Sequence, residues 1–212
     1  MRDNRAVFLL RVGLPDRPGS LGAVATALGT VGADIQAVEI VEKHSGFAVD
    51  DFMVEVPVGT LPDALITACT TIEDVSVLWF SPYPEGWGLQ ADVAVLDEMT
   101  ENPAEAASIL TQAAPTVFRV NWAAQIDSGD GRVLDRTAMA PEVDRLPLDP
   151  LAHLNSSGYV EVDEGWLPGW PEMLLAAAPL KNRSALVLAR TGGPAFIKSE
   201  LARLRHLAAL TG

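Results

Sequence analysis

The 212-residue sequence has one cysteine, Cys69. That excludes an internal disulfide and, alone, a thiolate metal site. Its setting, "LITACTTI", reads as a helix interior, where a buried thiol is inert, and this sparing usage suits a reducing, cytoplasmic environment. Basic residues are also few: 15 Lys and Arg stand against 28 Asp and Glu, a net charge of −13. Residues 1–80 carry −6 and the remainder −7, so neither half offers the basic footprint that nucleic acid or an anionic membrane surface requires. No uninterrupted apolar run approaches the ~20 residues of a membrane span. The start, "MRDNRAVFLLRVG", has its apolar run broken by Arg11 and lacks a cleavage pattern, so it does not read as a secretory signal. The three histidines, His44, His153 and His206, have no second ligand at metal spacing, and no metal or cofactor is expected. There is no G-x-S-x-G and no grouping that ties a nucleophile to a base, which points away from an enzyme.

What is present is a sequence able to bury a core, with 49% hydrophobic and 20% charged residues. Ala6–Leu14 reads as a strand and Pro15–Gly19 as a turn. Leu21, Val24, Leu28 and Val31 follow at helical steps, with Pro18 suited to the first turn and Gly32 ending the helix. "ADIQAVEIVEK" and "FAVDDFMVEVPV" flank "HSG" as a hairpin. "LPDALITACTTI" places Leu61, Leu65, Ile66 and Cys69 on one helical face, and "VSVLWF" is a final strand. The order β-α-β-β-α-β is the split βαβ, ferredoxin-like arrangement. Two helices on one side leave the other face of the sheet bare, which implies a homodimer, a higher homo-oligomer or a covering partner.

"SPYPEGWG", Ser81–Gly88, reads as a linker, so the expected domains are residues 1–80 and 89–212. Beyond it, "LQADVAVLDEM" and "PAEAASILTQAA" read as helices, with Pro103 and Glu105 in the first turn of the second. "FRVNWAAQID" and "RVLDRTAMA" read as strands around "SGDG". "PLDPLAHLNSSG" reads as a short helix, "YVEV", "EMLLAAAPL" and "SALVLAR" as strands, and the end as a helix with Leu201, Leu204, Leu207 and Ala208 inward. Trp122, Tyr159 and Phe196 are read as core; Trp166 and Trp170 either pack or roof a pocket.

The candidate site is "LPDRPGSLG", Leu14–Gly22. Gly19, Gly22, Gly29 and Gly32 miss the dinucleotide spacing, and no Lys-Ser/Thr follows as a phosphate loop needs. A smaller anion suits the place. Free N–H groups and the positive end of a helix dipole attract a carboxylate, and Gly19 lets backbone approach closely. Asp16 and Asp34 accept from an ammonium group, so a free amino acid has partners for both ends. Two plainer readings stand beside this: Gly19 serves only the turn, and Asp16 only caps the helix. Arg17 either pairs with a carboxylate or is solvated.

On "LPDRPGSLGAVATALGTVGADIQAVEI" the first ~80 residues resemble an ACT domain, through the D-x-P-G turn, the helix after it and "GADI" opening the second strand. On "AAAPLKNRSALVLAR" and "GGPAFIKSELARLRHLAALTG" the second half resembles a GAF domain, without the N-K-x-F-D-E pattern linked to cyclic nucleotides. Together they imply an α+β chain: a ferredoxin-like βαββαβ domain, then an antiparallel sheet flanked by helices. The ACT resemblance implies a ligand between the strand–helix loop of one subunit, Asp16, Arg17, Pro18, Gly19, Ser20 and Leu21, and the second-strand start of its partner, Ala33, Asp34 and Ile35. The expected function is a non-enzymatic regulatory sensor of an amino acid or similar small molecule, signalling to a partner protein. The alternatives are an assembly module that has lost its ligands and a small enzyme.

Overall fold

In the computed structural model, which describes residues 5–82, 89–151 and 158–211, the first apolar run is the strand β1, Arg5–Pro15. The chain divides into two compact units, Met1–Glu85 and Gly86–Gly212. Most of the expected linker, 83–88, lies outside the described residues, as does His153. No helix among the described residues is long and apolar enough to cross a membrane.

The first unit follows the expected order. After β1 come α1 (Ser20–Thr30), β2 (Asp34–His44), β3 (Phe47–Pro57), α2 (Pro62–Thr70) and β4 (Ser76–Pro82). The sheet order is β2-β3-β1-β4, every pair antiparallel. Cross-strand partners share a face, so Leu10 opposite Phe52 fixes which side is apolar. Leu10, Val12, Phe52 and Val54 meet Val24 and Leu28 of α1 and Leu65 and Cys69 of α2. The inward helical face is narrower than the sequence suggests, because Leu21 and Leu61 are exposed at the helix starts. Pro18 precedes the helix rather than sitting in its first turn, since Gly19 is the N-cap. Burial pushes the Cys69 thiol up to about 11, as an inert core thiol requires. On the face away from the helices Leu9, Arg11 and Asp51 are buried. There Arg11 Nε and Nη2 donate to the two Asp51 carboxylate oxygens at 2.7 and 2.9 Å.

The second unit contains α3 (Leu89–Glu101), α4 (Ala106–Phe118), β5 (Trp122–Asp127), β6 (Val133–Arg136), β7 (Tyr159–Val162), β8 (Met173–Pro179), β9 (Ser184–Arg190) and α5 (Lys198–Ala209). Its antiparallel sheet runs β6-β5-β9-β8-β7. One face carries Ala123, Leu186 and Leu188 against Leu110, Ala114 and Phe118 of α4 and Leu201, Leu204 and Leu207 of α5. The opposite face carries Trp122, Ile126, Leu175 and Val187, packed with loop residues such as Leu146 and Leu151. Three expectations are corrected. The strand expected from Phe118 begins at Trp122, because α4 runs through Pro115 to Phe118 and Arg119 turns the chain at φ +53°. Tyr159 opens an edge strand and is 42% exposed rather than core. The described part of "PLDPLAHLNSSG", residues 147–151, is not helical, and residues 152–157 lie outside the description.

Candidate functional site

At the end of β1 the chain turns through Asp16–Gly19 into α1. The turn is tied down by backbone bonds: Asp16 N–H donates to Gly46 O at 3.1 Å, and Arg17 N–H to Pro15 O at 2.9 Å. Gly19 stands at φ +95°, a conformation that strains any residue with a Cβ. It starts the helix through the Ala23 N–H to Gly19 O bond of 2.9 Å. No side chain caps α1. The N–H groups of Leu21 and Gly22 have no acceptor among the described residues, as the first turn of a helix leaves them.

This turn borders a recess of about 140 Å³. Arg17, Pro18, Gly19 and Ser20 form one wall; Ile72, Glu73 and Val75, from the connection between α2 and β4, form the other. Pockets for drug-sized ligands span roughly 300–1,000 Å³, so this one is smaller than a drug-sized site. It presents one guanidinium, one carboxylate and a helix start. Glu73 is the residue that sequence reasoning missed. The topology was the available signal: β1 ends and antiparallel β4 begins at the same end of the sheet.

Asp16 is turned to another task. Its Oδ1 accepts from Lys43 Nζ at 2.9 Å, and it does not cap α1. Leu21 is 40% exposed and does not line the recess. Ala33, Asp34 and Ile35 lie at the far end of the sheet. Asp34 is opposite Glu55, which is opposite Val7, eight residues along β1 from Pro15. At ~3.3 Å per residue that is about 26 Å. Within one chain Asp16 and Asp34 therefore do not reach the same small molecule. Asp34 Oδ2 instead accepts from Gln36 Nε2 at 3.0 Å. His44 Nε2 pairs with Glu42 Oε2 at 3.1 Å at the end of β2. The described residues hold no group of His, Cys, Asp and Glu arranged for a metal.

A second residue escaped the sequence reading. Asp50 lies on β3 directly opposite Val12, on the helix-bearing face, and is 2% exposed. Its Oδ1 is buried without a hydrogen-bond partner among the described residues. Burial holds this carboxyl above the ordinary range; Lys43 opposes that, and Asp16 and Asp51 reinforce it. A carboxyl raised on folding binds more protons native than unfolded, so stability falls as pH rises from ~3.9 through the raised value. Asp50→Asn is expected to flatten that decline and to leave the melting temperature at pH 7 no lower than in the parent. Thermal scans between pH 4 and 7 measure it; a variant with an unchanged or steeper decline contradicts the assignment.

Residues 8–68 match the ACT domain family, and the first unit is a ferredoxin-like ACT domain. Such domains generally bind small-molecule ligands and dimerise, and the match suggests a regulatory, ligand-binding role. No curated protein matches the chain. Solved structures with some likeness include an uncharacterized protein from Thermotoga maritima, 18% identical, covering 38% of this chain and 100% of that one with a TM-score of 0.31. A formyltetrahydrofolate deformylase from Pseudomonas putida is 10% identical over 45% of this chain and 38% of that one, with a TM-score of 0.30. An unknown protein from Galdieria sulphuraria is 10% identical over 88% of this chain and 81% of that one, with a TM-score of 0.32. Likenesses this slight carry no functional inference.

Proposed function

We propose that this protein is a non-enzymatic regulatory sensor. Its first unit dimerises and binds a free amino acid or related metabolite at the turn between β1 and α1. Its second, GAF-like unit senses another small molecule or passes the signal to a partner protein. The observation that carries the reading is the recess itself: Arg17 and Glu73 line it together with the start of α1. A zwitterion has a use for all three. Its carboxylate suits the guanidinium and the N–H groups of the first helical turn, and its ammonium suits the Glu73 carboxylate. The recess is too small for a nucleotide. Asp34 takes part only if a second copy brings its own β2 start to the turn, as the resemblance implies. Regulation then needs the ligand to prefer one arrangement of the chain over another.

A thermal-shift panel over the amino acids, nucleotides and cyclic nucleotides tests this. At about 100 times its dissociation constant, one or a few amino acids are expected to stabilise the protein by about 2.7 kcal/mol. A flat response overturns the reading. It would favour the assembly alternative, which draws on Asp16 being already ion-paired with Lys43.

A further inference from the structure

The loop-covered face of the second unit's sheet has a hollow. Ile126 on β5, Ala185 and Val187 on β9 and Ala177 on β8 form its floor, with Leu148 and Leu151 from the loop closing over it. The cavity measures about 150 Å³. Its origin is legible in the strand pairing. Ile126 lies opposite Ala185, and Val187 opposite Ala177, so two neighbouring positions of one face carry only a methyl group. Around them Trp122, Leu175 and Leu146 fill the same face with large side chains. Ser128 stands at the rim, exposed, and its hydroxyl makes no hydrogen bond among the described residues.

The hollow is partly open, since Ala177 and Ala185 are only half-buried, and its lining side chains other than that of Ser128 are hydrocarbon. An enclosed apolar cavity of ~150 Å³ accepts benzene, which sets the size of molecule that fits. We propose that the second unit binds a small apolar molecule, or the apolar end of a larger one, about the size of a single aromatic ring. The ring seats between Ala177, Ala185 and Leu148, and any polar substituent leaves past the Ser128 hydroxyl. This rests on the reading of the second unit as a sensor and is independent of the amino-acid site in the first. It gives that sensor a ligand class distinct from free amino acids.

The test uses the full chain, labelled on Ala, Ile, Leu and Val methyl groups, with benzene as probe. Saturable shifts are expected at Ile126, Leu148, Leu151, Ala177, Ala185 and Val187, and none at Val24 or Leu28 in the first unit. Glycerol at the same concentration is expected to leave all of them in place. Ala185→Leu fills the hollow and is expected to weaken benzene binding at least tenfold while the methyl spectrum elsewhere stays native. If that variant does not fold, Ala177→Val makes the same test with less added volume. Shifts that do not saturate, that spread evenly over both units, or that survive the filled cavity overturn the proposal. A flat amino-acid panel leaves this experiment untouched, since probe and reporting methyls belong to the second unit alone.

Discussion

Arg190→Met is expected to destabilise the second unit by about 3–5 kcal/mol, the range for removing one partner of a buried ion pair. Arg190 ends β9 and is 3% exposed. Its Nη2 donates to Glu200 Oε1 at 2.9 Å and to Phe118 O at 2.8 Å. Its Nε donates to Arg119 O at 3.2 Å, its Nη1 to Pro194 O at 3.0 Å, and the guanidinium lies 4.2 Å from the centre of the Phe196 ring. One side chain thus satisfies the carbonyls that end α4, while Glu200 Oε2 accepts the Ile197 N–H that starts α5. Methionine keeps the length and apolar stem but leaves the Glu200 carboxylate without this guanidinium, and the Phe118 carbonyl without this donor. For a unit of this size the transition should fall by roughly 10–20 °C. Hydrogen exchange in β8 and β9 locates the loss in the second unit. Arg190→Met with Glu200→Leu should recover part of it, because removing both charges is less costly than stranding one. A fall of only a few degrees, or no recovery in the double variant, contradicts this account.

Such a hub was invisible in the sequence, and the reason separates what was legible from what was not. Periodicity reports local structure. The β-α-β-β-α-β order, the hairpin at Ser45–Gly46 and the inward face of α5 all follow from residues within a few positions of one another. The fold class was therefore readable. The sequence reading took the helix as far as Ala114 and opened a strand at Phe118. Here Leu110, Ala114 and Phe118 at steps of four bury against the sheet, and that packing carries α4 through the proline to Phe118. Asp50 and Glu73 became candidates only once strands were paired: Asp50 by lying opposite Val12, Glu73 because β4 begins where β1 ends. Of the candidate site, the turn Asp16–Ser20 was readable, since a glycine before a helix is a local signal. Asp16 was misassigned as a possible cap because its actual partner, Lys43, is 27 residues away. The hollow beside Ala177 and Ala185 is a contrast between strands, and no single segment shows it.

Gly19 gives the sharpest separation of fold from function, through two substitutions that share one strain. At φ +95° any Cβ is unfavourable, by roughly 1–2 kcal/mol. Gly19→Ala and Gly19→Trp should therefore lower the stability of the first unit by similar amounts. They differ in what they add. A Cβ built at Gly19 meets nothing within 4 Å, so alanine has room and leaves the recess open. Tryptophan brings an indole to the wall of a recess of about 140 Å³, where it is expected to compete with a ligand for space. The alanine variant is expected to keep the thermal response to the amino acid found in the panel. The tryptophan variant is expected to bind at least a hundredfold more weakly. At a ligand concentration of ~100 times the parent's dissociation constant, that reduces the stabilisation from about 2.7 to about 0.4 kcal/mol. Comparing each variant with and without ligand cancels the shared strain, so the difference reports the site alone. Parent-like binding by the tryptophan variant would place the ligand elsewhere in the chain. Loss in both variants would instead mean that the site depends on the backbone angle at Gly19, which sets the direction of the Leu21 and Gly22 N–H groups, rather than on the space beside it.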